Sequence, residues 1–456
     1  MTTNLKNMTE GKPGKLIFSF AMPLMVGNVF QQLYTVVDAM VVGQILGVAA
    51  MAALGAADWM NWMMLAIVQG LAQGFSIRMA QEFGARNFEQ LRKTVANAVI
   101  LAVVCSLLLT VVGQLIVGGA LKLLQTPSDI FGDAQLYLRI MYAGIPAVMA
   151  FNFLASILRA LGDGRTPLYA MAISSCTNIA LDLVFVGGLD TGIGGAAVAT
   201  VIAQCCSAIF CFLRIRKIEI LHLKKSDFAI NMNLCKILLR LGSPMAFQNG
   251  IIAIGGMIVQ SVVNGFGVAF IAGFTATNKL YGSLEIAATS YGYAMTTYTG
   301  QNMGAGKWKR IRKGMRSSLV IAILTSLVIM AAMILSGKWI LRGFISGDNA
   351  EAAKTMAVAY EYLVIMSVTL PLLYFLHVIR SCIQGMGNTV LPMVSAMAEF
   401  VMRITTVAVL PRWIGESGVL YAEAGAWLGA DVILTVSYFY LIHKLAPREK
   451  KGKAIF

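Results

Sequence analysis

The sequence predicts an all-α polytopic membrane protein, twelve transmembrane helices in two six-helix lobes related by a pseudo-twofold axis along the membrane normal. Three observations carry this. Of 456 residues, 58% are hydrophobic and only 12% charged, with a mean hydropathy of +0.75, whereas a soluble domain carries about 25% charged residues. Apolar runs long enough to cross a bilayer, about 20 residues as a helix, recur along the whole chain. The two halves also repeat each other in sequence.

Reading apolar runs against polar breaks gives spans at roughly 16–47, 51–78, 95–124, 134–160, 167–189, 193–214, 237–265, 268–300, 316–345, 355–383, 390–411 and 420–443. Several exceed the minimum length, so tilt or extension past the bilayer is expected. The first run lacks a small-residue cleavage pattern and reads as a span rather than a removed signal. One sizeable polar connector, 216–236, divides an N-lobe (1–215) from a C-lobe (237–456). Q-E-F-G-A-R-N-F-E-Q-L-R-K at 81–93 aligns with Q-N-M-G-A-G-K-W-K-R-I-R-K at 301–313. Y-L-R-I-M-Y-A-G-I-P at 137–146 aligns with Y-L-V-I-M-S-V-T-L-P at 362–371, and Pro23 and Asn28 match Pro244 and Asn249. Six spans is an even number, so both halves insert in the same orientation. The repeat is parallel, and a substrate site is expected between the halves.

Basic residues sort by side. Lys6, Lys12, Lys15, Arg78, Arg86, Arg92, Lys93, Arg159, Arg165, those of 214–240 and 307–316, Arg380 and those of 444–453 fall on one face. Only Lys122, Lys338, Arg342, Lys354 and Arg412 fall on the other. This bias places both termini in the cytoplasm, in a cell inner (plasma) membrane protein. It accounts for the net charge of +15 without a nucleic-acid partner. The partners expected are the lipid bilayer and small molecules, with a monomer as the functional form. The seven cysteines form no C-x-x-C and read as small packing residues.

The chemistry is expected where charge enters the apolar runs. Asp38 stands near the middle of the first span. A carboxylate at membrane depth costs several kcal/mol unless protonated, paired or bound to a cation, so its default reading is functional. The competing reading is a structural carboxylate capped by hydroxyls or neutralised by a membrane lysine such as Lys279. Asn178 and Asp182, in T-N-I-A-L-D, are four apart and share one helix face. Two carboxylates and a carboxamide supply the oxygens a proton or a small hard cation takes, unless Asp182 is merely hydrated near the outer interface. Lys279 and Glu285 in span eight are candidates for a substrate cavity, with Gln31, Tyr34, Asp58 and Asn249. Asp58 is repeat-related to the Asn278/Lys279 region and a candidate partner for Lys279. Glu399 and Arg403 are spaced to neutralise each other, and His377 reads as a packing histidine before a proton relay. The methionines, with Trp59, Trp62, Tyr291, Tyr293 and Tyr298, offer an adaptable lining, though most read as core or lipid-facing.

An enzyme is not expected. H-E-x-x-H, G-x-S-x-G and Walker patterns are absent, and G-A-G-K at 304–307 lacks the earlier glycine and has Trp308 where a phosphate loop needs Ser or Thr. No cofactor is expected beyond a proton or sodium as coupling ion.

Taken together, P-L-M-V-G-N-V-F-Q-Q-L-Y-T-V-V-D-A-M-V-V-G-Q-I-L-G (23–47), the paired Q-x-x-G-A loops, L-R-A-L-G-D-G-R-T-P (158–167) and G-G-A-A-V-A-T (194–200) resemble the multidrug and toxic compound extrusion (MATE) family of antiporters over nearly the whole chain. The resemblance implies two six-helix lobes exporting organic, often cationic compounds by alternating access in exchange for protons or sodium. It implies an N-lobe ion site at Asp38, Asn178 and Asp182, with Thr200 and Tyr137 matching further polar members. The chain departs from the sodium-dependent branch, since 248–267 contains no carboxylate and span ten offers only Glu361 near its outer end. A flippase for lipid-linked saccharides, from the same superfamily, is the alternative; it would be expected to carry a basic cavity and often extra spans.

Overall fold

The computed structural model describes residues 5–345 and 350–449. The basic tail beyond residue 449 lies outside the described residues. The long helices are α1 (Pro13–Ile45), α2 (Val48–Gly84), α3 (Phe88–Leu123), α4 (Ser128–Ala143) with α5 (Ile145–Ala160), α6 (Arg165–Asp182), α7 (Gly192–Ile215), α8 (Met232–Val263), α9 (Val268–Gly304), α10 (Trp308–Leu341), α11 (Ala350–Gly385), α12 (Val390–Val409) and, after the short α13 (Pro411–Ile414), α14 (Ala422–Glu449). Each of the twelve expected spans is met by one helix or, at α4–α5, by a pair bent by 47°.

That bend has a local cause. Pro146 has no N–H to give to the preceding turn, and Gly144 stands beside it as the break. In the second half Pro371 lies inside an unbroken α11. There the residue matching Gly144 is Thr369, whose hydroxyl donates to the Ile365 carbonyl at 2.7 Å. The break at α4–α5 thus coincides with a glycine beside the proline, where α11 has a threonine.

The chain divides into two compact units. One holds Met1–Asn7 with Met22–Gly250, the other Met8–Ala21 with Ile251–Phe456. Both boundaries fall inside helices, α1 and α8, close to Pro23 and Pro244. In the first unit α5 packs on α2, α3 and α7; in the second, α11 packs on α9, α10 and α14. The fourth span is thus the centre of each half. Its counterpart at the periphery is the third: α3 exposes Leu107, Leu108, Val111 and Leu115, and α10 exposes Val320, Leu324, Val328 and Leu335. Apolar faces of this extent need lipid against them. All seven cysteines are free thiols.

Entry segments are fixed by polar side chains. Helix α8 starts at Met232, inside the stretch expected as linker, because Asn97 of α3 holds the approach: its Nδ2 donates to Ala229 O at 3.2 Å and its Oδ1 accepts from Asn231 N at 2.9 Å. In the second unit, Met8 N donates to Gln301 Oε1 at 2.8 Å, Lys307 Nζ to Thr9 O at 3.0 Å and Arg310 Nη1 to Gly11 O at 3.0 Å. The lysine of G-A-G-K therefore caps the Thr9 carbonyl of the N-terminal segment.

Candidate ion site and the charged network of the second unit

Helices α1 and α6 run side by side in the first unit. Ser175 Oγ donates to the Phe30 carbonyl at 3.0 Å, and a Cβ at Gly27 would collide with Met171 Sδ at 2.6 Å. Two turns further along each helix, this approach brings Asp38 to Asp182. Their carboxyl groups lie within hydrogen-bonding reach of each other. Asp182 is fully buried, at 0% exposure. Among the described residues neither of its oxygens, nor Oδ1 of Asp38, receives a hydrogen bond.

The rest of the site follows from helix period. Asn178, one turn before Asp182, donates from Nδ2 to Thr200 Oγ1 on α7 at 3.2 Å, and that hydroxyl donates to Ala196 O at 3.1 Å. With its nitrogen committed, the amide leaves Oδ1 buried and without a donor. Gln204, one turn after Thr200 and on the side away from Asp182, has another buried carbonyl oxygen without a partner among the described residues. Buried Tyr137 lies within the field of both aspartates, as does Tyr34, which bonds to Gln31. Asp58, exposed on α2, adds negative charge near Asp38. Directly after Asp182 the backbone widens into a π-helical turn, Leu183–Gly188, a rare form that concentrates at functional sites. Among the described residues no basic side chain stands at the pair, and two such carboxyl groups repel unless a proton or another cation joins them. The arrangement can bind one positive charge and release it.

Asn249, expected beside a substrate cavity, spends its amide on the Ala66 carbonyl at 2.9 Å. Lys279 is exposed on α9. Glu285 Oε1 stands 3.3 Å from His377 Nε2, while His377 Nδ1 faces Leu373 O at 3.0 Å. Glu399 and Arg403 do approach each other, at 3.5 Å. Their shorter contacts cross between helices: Arg380 Nη2 to Glu399 Oε2 at 2.6 Å, and Arg403 Nη2 to Glu423 Oε2 at 2.6 Å. Arg403 Nη1 also donates to Ile252 O at 3.2 Å. The i, i+4 spacing is thus one edge of a four-membered network. Tyr291 and Tyr298 are buried, bonded to Thr325 and to the Arg310 carbonyl, so they hold helices together.

Sequence reasoning passed over Gln204, though it repeats at Thr200 the four-residue spacing of Asn178 and Asp182. It also passed over Glu423 and Asp431, which lie nine positions or fewer into the last helix.

A model of the MatE family matches residues 23–184 and 244–409, one block in each half. The chain is 28% identical to the probable multidrug resistance protein YpnP of Bacillus subtilis, over 91% of this chain and 92% of that protein. It is 26% identical to a second, YoeA of the same species, over 92% and 90%. Among solved structures, a MOP-superfamily transporter from Pyrococcus furiosus superposes with a TM-score of 0.91 at 22% identity, covering 98% of this chain and 99% of that one. The chain belongs to the MATE family of membrane transporters.

Proposed function

We propose that the protein is a proton-coupled antiporter that exports organic, often cationic, compounds by alternating access. The observation that carries this is the contact between half-buried Asp38 and fully buried Asp182, where among the described residues Oδ1 of Asp38 and both oxygens of Asp182 receive no hydrogen bond. A proton shared by the pair removes the charge penalty; its loss restores repulsion between α1 and α6 and favours their separation. A ligand shifts such an equilibrium only by its differential affinity for the two states, and a proton held between two carboxyls has that property. A proton needs only the two touching carboxyl groups, whereas sodium would also have to draw in oxygens such as Asn178 Oδ1. The relatives named as multidrug resistance proteins support the substrate class. Glu285, part-exposed on α9, is the anion proposed to meet cationic substrates. The basic-residue bias supports a plasma-membrane location with both termini in the cytoplasm. One chain carries the whole Asp38–Asp182 site, so a monomer suffices.

The test is efflux from reconstituted vesicles under an imposed proton gradient, and separately under a sodium gradient. Uphill transport is expected with the proton gradient alone. Transport driven only by sodium would reassign the ion, and Asp38→Asn driving uphill transport at the wild-type rate would remove the site from the mechanism.

A further inference from the structure

The four-membered network of the second unit is balanced, two arginines against two glutamates. One buried charge is left over. Asp431, nine positions into α14, is 8% exposed, and neither of its carboxyl oxygens receives a hydrogen bond among the described residues. The charged groups that act on it are Arg380 of α11 and Glu399 of α12. Arg403 of α12 and Glu423 of α14 stand beyond Glu399 in the network. From α10, Arg312 and Arg316 reach Tyr438, two turns along α14. Arg380 gives Nη2 to Glu399, and its Nε has no partner.

We propose that Asp431 is a second proton-binding site, confined to the C-terminal unit, and that its proton decides whether Arg380 serves Glu399 alone or is shared. An ionised Asp431 would make this cluster net negative inside the membrane and leave a buried anion without a hydrogen bond, a cost of several kcal/mol. A proton cancels that cost with one O–H bond and no change in packing. A metal ion would need about six oxygens. Among the described residues no three His, Cys, Asp or Glu side chains gather to hold one, and the Arg380 guanidinium repels a second cation. Packing leaves the neutral carboxyl in place: Gly425 and Gly429, spaced as a small-xxx-small pair, press α14 against Thr406 and Met402 of α12. When the O–H bond breaks, the proton leaves to water and the carboxylate keeps the electron pair. Arg380 then faces two anions, and Glu399 leans further on Arg403, 3.5 Å away. The α11–α12–α14 contact therefore has two arrangements that differ by one proton. This site shares no residue with the Asp38–Asp182 pair and stands or falls apart from it.

Infrared spectroscopy of the full chain in lipid tests the assignment, in an Asp38→Asn/Asp182→Asn background that silences the first unit. The carbonyl stretch of a protonated carboxyl group is expected at neutral pH, lost in Asp431→Asn and lost from the parent on raising the pH. An Asp431→Asn spectrum superposing on its parent at every pH would overturn the proposal. So would loss of the band on replacing choline chloride by sodium chloride at fixed pH, which would make this a sodium site. Should Asp431→Asn not fold, Asp431→Glu must retain the band at a shifted frequency; an unshifted band is equally fatal.

Discussion

Both halves of this chain place two acidic side chains of different helices close together at membrane depth, and they treat them in opposite ways. In the C-terminal unit Glu399 and Glu423 are met by Arg380 and Arg403 at 2.6 Å each. In the N-terminal unit Asp38 and Asp182 meet each other, with no arginine or lysine at the contact among the described residues. In the first arrangement each glutamate has an arginine of the protein itself as its partner. The second is satisfied only when a cation arrives from outside. A duplicated fold thus pairs Glu399 and Glu423 of one half within the protein and leaves the aspartate pair of the other in a state that depends on the solution.

If that contrast is right, the same kind of substitution should have opposite consequences in the two halves. Arg403→Leu, which strands Glu423 in the interior, should cost about 3–5 kcal/mol, seen as a large fall in the thermal midpoint of the solubilised protein. Asp38→Asn, which neutralises half of an unsatisfied pair, should leave that midpoint unchanged or raised. A melting point that drops as far for Asp38→Asn as for Arg403→Leu would erase the distinction.

Smaller effects sharpen it. In the first unit α2 crosses α8 so closely that a Cβ at Gly70 would lie 2.7 Å from Ala246 Cα. Gly70→Ala should destabilise by about 1–3 kcal/mol through overpacking, with the ion specificity of whatever protein folds left unaltered. Asn178→Ala removes the hydrogen bond to Thr200 but neither carboxyl. Its stability cost should be about 1 kcal/mol, with gradient-driven rates reduced rather than abolished. Smallest is Glu285→Gln, expected to weaken apparent affinity for cationic substrates roughly tenfold, about 1.4 kcal/mol, and to spare neutral ones. Equal loss for both substrate types would remove Glu285 from recognition.

The spans and the repeat were legible because membrane insertion forces them onto the sequence: an apolar run has to be long, and a polar loop has to interrupt it. Asp38, Asn178 and Asp182 were legible for the same reason, a polar group where lipid chemistry disfavours one. What could not be read was pairing between distant helices. Glu399 and Arg403 sit four apart and invite the local reading, yet the tighter partners are Arg380 and Glu423, 19 and 20 positions away. The break at Gly144 and the continuity at Pro371 differ although both halves carry the proline. The π turn after Asp182 has no composition of its own. Lys307 looked like the end of a phosphate loop, and only the fold of the N-terminal segment shows the carbonyl it caps.

The most direct test of the central claim, that Asp38 and Asp182 form one site, is a double-mutant cycle on gradient-driven transport. Wild type, Asp38→Asn, Asp182→Asn and the double variant are placed in vesicles at matched protein density, and initial uphill rates are taken under one imposed proton gradient. Residues acting as a unit are grossly non-additive. Each single variant should therefore fall to the background of protein-free vesicles, with the double variant no lower. Two partial losses that multiply in the double variant, or a single variant transporting at the wild-type rate, would contradict a shared proton.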